Sequence, residues 1–362
     1  MEYGYYYLII LVSSLNAAML NKKIKNRLIC DKFFSNLILC FLYFWPIICF
    51  SSFRRGGGTD YWSYYSYSYS IGKMTISEYF SINGFAEIAF YFISKIGYLS
   101  SNRFLIYFLM TICLVYPLIK FLNLYRSKIS PWVFVFIFVA FFFPKYLNIS
   151  RQMIAVSYSL CSIGLIQYNF KRSLLYLLIS ILFHGSAIVV LAIYPLILYY
   201  VKFRQQISLT ETIYIILLIF LFIYVFKNQL GGEYIHTYKT SNSAKFSLLV
   251  VLSFLLMFCY AALLIRFYIK LNKTIFSYML MLLVGVLIYI TFSNITVGFR
   301  LSYYFVDSLL FIYPYISNQI RNSKTKRIVN ITIIVIFVFT FYLQHQFLGY
   351  DEIVPIHFGG RV

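Results

Sequence analysis

The chain has 362 residues, of which 62% are hydrophobic and only 11% charged, and its 31 Lys+Arg against 10 Asp+Glu give a net charge of +21. Soluble domains carry about 25% charged residues, so an ordinary soluble fold is excluded, and the apolar excess excludes disorder. With a mean hydropathy of +0.80, the composition is that of an all-α polytopic membrane protein, and the basic excess belongs in cytoplasmic loops rather than on nucleic acid.

A helical span needs about 20 apolar residues. Such runs lie near 3–20, 33–53, 104–122, 131–147, 152–168, 209–227, 246–265, 275–292, 298–317 and 328–345. The first has no basic region ahead of it and reads as a span, not a removable signal. The stretch 173–201 is too long for one upright helix and short for two, and Phe183-His184-Gly185-Ser186 interrupts it. Charge decides between the two readings. Lys22, Lys23, Lys25, Arg27 and Lys32 put the 21–32 loop inside. A single span over 173–201 would then leave Arg321, Lys324, Lys326 and Arg327 outside, against the rule. A hairpin turning at His184 brings every basic loop inside.

The expectation is therefore one transmembrane domain over 1–345, with about twelve passes, a short-helix hairpin at 173–201 and a tail at 346–362. Two segments fall outside, 54–103 and 229–245. The first opens on Arg54-Arg55-Gly56-Gly57-Gly58-Thr59-Asp60-Tyr61, and its 77–99 region reads as short amphipathic or re-entrant helices. Two arms this short would turn below the outer membrane surface. Non-helical backbone is tolerated at that depth only beside protein or water, so His184 is expected to line an outward-facing cavity.

Arginine should be scarce on the outer side. Arg54, Arg55, Arg151 and Arg300 stand there nonetheless. A planar guanidinium grips phosphate with paired bonds, so the group suggests a phosphorylated ligand; pairing with lipid head groups or with Asp60, Glu87 and Asp307 is the structural alternative. The three glycines offer unobstructed amides for an anion, or a plain flexible loop. Asp60 suits a proton acceptor, a sugar hydroxyl or a salt bridge. Tyr61 and Tyr64 suit stacking on a sugar or an interfacial belt. His184 suits a general base or a structural core histidine. The six cysteines show no CxxC and no metal-ligand spacing, so neither zinc nor a disulfide framework is implied.

Four short motifs, in order, resemble the EpsG family of Wzy-like polysaccharide polymerases: Arg54 with Gly56-Gly57-Gly58-Thr59-Asp60-Tyr61 and Tyr64; Ile149-Ser150-Arg151-Gln152 with Ala155; Phe183-His184 with Ser186-Ala187; and Arg300 with Tyr303-Tyr304-Phe305. A glutamate-bearing stretch, Glu87-Ile88-Ala89-Phe90-Tyr91, fits the same pattern. The resemblance implies a GT-C-like helical bundle in the bacterial cytoplasmic membrane, its active site facing outward. It implies transfer of a growing glycan from undecaprenyl pyrophosphate to the next lipid-linked repeat unit, with no metal and no cofactor. Candidate catalytic residues are His184, Asp60, Arg151 and Arg300. Arg54, Arg55, Gly58, Tyr61, Tyr64, Glu87, Gln152, Ser186, Tyr303 and Tyr304 are candidates for substrate binding. Expected partners are the undecaprenyl-pyrophosphate-linked oligosaccharide and membrane lipids, with a chain-length regulator and a flippase as candidates, and no nucleic acid. The rival reading is a flippase of lipid-linked oligosaccharide, although no internal repeat of transporter type is visible.

Overall fold

A computed structural model describes residues 3–24, 33–58, 61–85, 87–191, 194, 248–269, 272–292, 300–349, 353 and 356–358. The expected span at 209–227, the loop at 229–245, most of the 21–32 loop, the latter part of the 173–201 hairpin, and Asp60 lie outside these residues. Six described helices are long and apolar enough to cross a membrane: Phe34–Phe53, Phe104–Leu124, Pro131–Asn148, Leu248–Tyr268, Lys273–Phe292 and Ser323–Phe347. The least buried of them carry exposed large apolar side chains at helical spacing, such as Phe34, Ile38 and Trp45, or Ile328, Ile331 and Val335. That is the pattern of helices bathed in lipid. The chain divides into two compact units, Met1–Ile188 with Tyr313–Val362, and Val189–Ile312.

In the first unit, α1 (Gly4–Ile24) and α2 (Phe33–Phe53) lead into a three-residue strand, β1 (Arg54–Gly56). A cap of three helices follows: α3 (Tyr61–Lys73), α4 (Ile76–Asn83) and α5 (Ile88–Leu99). The Tyr/Ser stretch thus folds as a helix. Tyr61, Tyr64, Ser68 and Ile71 recur on one buried face. Gly72 permits the α3–α5 contact, since a Cβ there would stand 2.5 Å from the Ser94 carbonyl oxygen. Thr75 and Glu78 close a capping box on α4.

Next come α6 (Arg103–Leu124) and a long element made of α7 (Pro131–Ile137), a π turn (Phe138–Phe142) and α8 (Phe143–Asn148). Pro144 lacks the N–H that would continue α pairing, and the helix widens just before it. Two helices follow, α9 (Ser150–Leu165) and α10 (Phe170–Phe183). Helix α10 stops where the interruption at His184 predicts, and a 3-10 turn spans Gly185–Val189.

The second unit holds α11 (Leu248–Tyr268), α12 (Lys273–Phe292) and α13 (Tyr303–Val306). The expected span at 298–317 is not one continuous helix. It breaks after α13 and resumes as α14 (Leu309–Gln319), with Asp307 and Ser308 buried at the break. The first unit closes with α15 (Ser323–Phe341), a π turn (Tyr342–Phe347) and β2 (Ile356–Phe358), which pairs antiparallel with β1. Part of the expected tail therefore belongs to the fold. Tyr6 anchors it by donating from its hydroxyl to the Ile353 carbonyl at 2.7 Å.

Candidate functional site

Helices α9 and α10 run antiparallel across a short turn and are joined by serine hydroxyls. Ser162 and Ser173 each donate to the other's backbone carbonyl, at 2.7 and 2.6 Å. Ser180 donates to the Ala155 carbonyl at 2.7 Å, and its hydroxyl lies 2.8 Å from that of Ser159. Small residues let the backbones approach, and the hydroxyls bond across the contact. Because the pair is antiparallel, the start of α9 stands beside the end of α10. Arg151 occupies the first and His184 the second.

At His184 the backbone turns extended, with φ −158° and ψ 120°. Its N–H still bonds the Ser180 carbonyl at 3.0 Å, and its own carbonyl accepts from Ala187 at 3.0 Å. The break is therefore held on both sides.

Glu87 arrives from the cap. It sits at the start of α5 in the left-handed region, φ 55° and ψ 30°, which is costly for a residue with a Cβ. One carboxylate oxygen, Oε2, ion-pairs with Nη1 of Arg151, and the other, Oε1, lies 2.6 Å from Nδ1 of His184. The side chains of Arg151, Glu87 and His184 are 23%, 18% and 32% exposed, so none of the three is sealed in the core.

The Arg151 guanidinium also lies over the rings of Tyr64, Tyr67 and Phe90, at 5.4, 5.1 and 5.2 Å from their centroids. Desolvated contacts of this kind hold a cation in place. Its Nε is buried without a hydrogen-bond partner, and its backbone N–H stands 3.5 Å from the Tyr64 hydroxyl. Tyr79 of α4 is close by, and its hydroxyl is pushed up to about 12, first by burial and then by Tyr67 and Glu87, with Arg151 opposing. Tyr67 and Phe90 were not expected here. The 64/67 spacing on one helical face was the available signal.

The paired arginines of the first motif separate. Arg54 is 1% exposed and points inward. Its guanidinium bonds the carbonyls of Gly56, Gly57 and, at 3.3 Å, Leu147. It lies against Tyr61 and Tyr107, whose rings stack 4.9 Å apart. Arg54 and Tyr61, both expected as substrate contacts, have buried side chains. Tyr61 is fully buried, stacked on one face, and bonded through its hydroxyl to the Arg54 carbonyl at 3.0 Å. Arg55 remains half-buried, with a buried Nε that has no hydrogen-bond partner.

Gly56, Gly57 and Gly58 all take positive φ. At Gly58, with φ +92°, a Cβ would stand 2.5 Å from the Leu147 oxygen, so only glycine fits.

Gln152 is buried next to Arg151 on α9, and Ser186 is half-buried in the 3-10 turn. Arg300 is half-buried in the second unit, with Tyr303 and Tyr304 buried beside it in sequence. Among the described residues, no three His, Cys, Asp or Glu are grouped to hold a metal ion.

Comparison with curated proteins and with solved structures finds no match. The EpsG family matches over residues 37–358, a range that includes Arg54, Glu87, Arg151, His184 and Arg300. That range is most of the chain, and the chain belongs to the EpsG family.

Proposed function

We propose that this protein is a polysaccharide polymerase. It transfers the growing glycan from undecaprenyl pyrophosphate to the non-reducing-end sugar of the next lipid-linked repeat unit, at the outer face of the bacterial cytoplasmic membrane. The family supports the coarser part of this reading, a Wzy-like membrane polymerase of exopolysaccharide synthesis with glycosyltransferase-like chemistry. The observation that carries the finer part is the meeting of a cation and an imidazole through one carboxylate, at the end of a paired-helix hairpin.

In this reading Arg151, with Arg55, grips the diphosphate. Arg55 is preferred to Arg54, which is buried and already bonds three backbone carbonyls. His184 takes the proton of the acceptor hydroxyl while that oxygen attacks C1 of the donor sugar. The C1–O bond breaks, its electron pair stays on the diphosphate, and the configuration inverts. Cations already in position stabilise that charge without reorganisation. Gln152 and Ser186 neighbour Arg151 and His184 along the chain, Tyr64 lies under the Arg151 guanidinium, and Gly58 keeps its proposed role on the strength of its motif. Asp60, Arg300, Tyr303 and Tyr304 keep their proposed roles on the strength of their motifs. No metal or cofactor is assigned.

Purified protein in liposomes with lipid-linked repeat units provides the test. Arg151→Ala and His184→Ala should each lower polymer formation about 100-fold or more while the protein stays folded. Full polymerisation by either variant removes its proposed role. In cells, loss of the protein should abolish the ladder of glycan lengths and leave single repeat units outside; units trapped inside would mean a flippase.

A further inference from the structure

The Glu87 carboxylate touches both groups to which the chemistry is assigned, and it comes from a different layer of the protein. We propose that Glu87 is a positioning residue: it fixes the His184 imidazole as the Nδ1–H tautomer and leaves Nε2 as the base. The inference rests on the polymerase reading and adds to it.

The argument is one of donors and acceptors. An ionised carboxylate can only accept hydrogen bonds. Glu87 meets the Arg151 guanidinium through Oε2 as the carboxylate of an ion pair. The 2.6 Å contact between Oε1 and Nδ1 is therefore a bond donated by Nδ1–H. A neutral imidazole protonated at Nδ1 has its lone pair at Nε2. With one face of the ring tied, Nε2 is turned away from the carboxylate, and His184 remains 32% exposed in that state.

Glu87 holds its own left-handed backbone at φ 55° while making both contacts. A non-glycine residue kept in that region is a constraint enforced by its surroundings. The two side-chain bonds are the visible enforcement.

The transfer then balances as follows. Nε2 accepts the proton from the acceptor hydroxyl, and the hydroxyl oxygen bonds to C1. The C1–O electron pair passes to the diphosphate, whose charge meets Arg151. The imidazolium now carries a proton on each nitrogen, and the Glu87 carboxylate neutralises it. Water takes the Nε2 proton as products leave.

The full-length protein in lipid nanodiscs tests this. Nitrogen-15 spectra of its four histidines, with His184 assigned by its loss in His184→Gln, should show a protonated Nδ1 and a bare Nε2. Glu87→Gln should lose that pattern. In the polymerisation assay Glu87→Gln should lower kcat about 100-fold while KM for the lipid-linked donor stays within about threefold. Glu87→Asp should recover part of the loss and part of the spectral pattern. A wild-type His184 protonated at Nε2 overturns the inference. So does a Glu87→Gln variant with raised KM and unchanged kcat, which would make Glu87 a substrate contact. A wild-type protein that forms no polymer sinks the polymerase reading instead, with the nitrogen shifts still deciding the tautomer.

Discussion

Arg54 and Arg151 are both arginines at the end of a hydrophobic helix, and their surroundings treat them oppositely. Arg54 is enclosed by tyrosine rings, and among the described residues its hydrogen bonds go to uncharged backbone oxygens. Arg151 also rests on aromatic rings, but its charged partner is an acid shared with a histidine, and a quarter of its side chain meets solvent. The first is an organiser of backbone. The second is a cation held ready beside a titratable group. Residue type does not separate the two cases; the chemistry of the partners does.

The sharpest way to break this contrast is to truncate both. Arg54→Ala takes the guanidinium donor away from the carbonyls of Gly56, Gly57 and Leu147. It should lower stability by about 3 kcal/mol, since several buried acceptors lose their partner together. Thermal unfolding in detergent should show it as a large drop in midpoint and in folded yield. Arg151→Ala should show the reverse, a modest fall in midpoint with turnover abolished. If Arg54→Ala folds normally and is inactive, the contrast is wrong.

Gly58→Ala sharpens the same corner. The new methyl meets the Leu147 oxygen and the backbone must leave φ +92°, at about 2 kcal/mol. The same unfolding measurement reads it.

The smallest effect lies in the cap. Thr75→Ala should weaken α4 by about 1 kcal/mol, read as faster amide exchange over 76–83. Glu78 gives the pH dependence. Its carboxyl is held below the ordinary value of 4.5, first by the Thr75 backbone N–H and then by the Thr75 hydroxyl. A lowered folded value means a contribution fully present above about pH 4.5 and lost as pH falls from there through the lowered folded value. Exchange in α4 should therefore accelerate on acidification, and Glu78→Gln should remove that dependence.

Much of the frame was legible in the sequence because hydrophobic runs and helix breakers are local signals. The interruption at Phe183-His184-Gly185 marks the end of α10 directly. The helix α3 was harder, since alternating Tyr and Ser hide a 3.6-residue face under a polar composition. The β1–β2 pairing joins segments from the two ends of the chain, for which spacing offers no clue. Glu87 was visible as a motif glutamate, but its partners lie 64 and 97 residues away, a distance no local pattern spans. The burial of Arg54 was equally hidden, because it depends on Tyr107, far along the chain, lying against its guanidinium.

The ladder of serines between α9 and α10 has a mechanical meaning. Sliding one helix by a turn would break the 159–180 and 162–173 rungs at once. A bilayer that thins or thickens around the protein is accommodated by tilt, and the two helices tilt as one fork whose prongs end in the guanidinium and the imidazole. The gap between those prongs is set inside the protein and is insulated from the lipid around it.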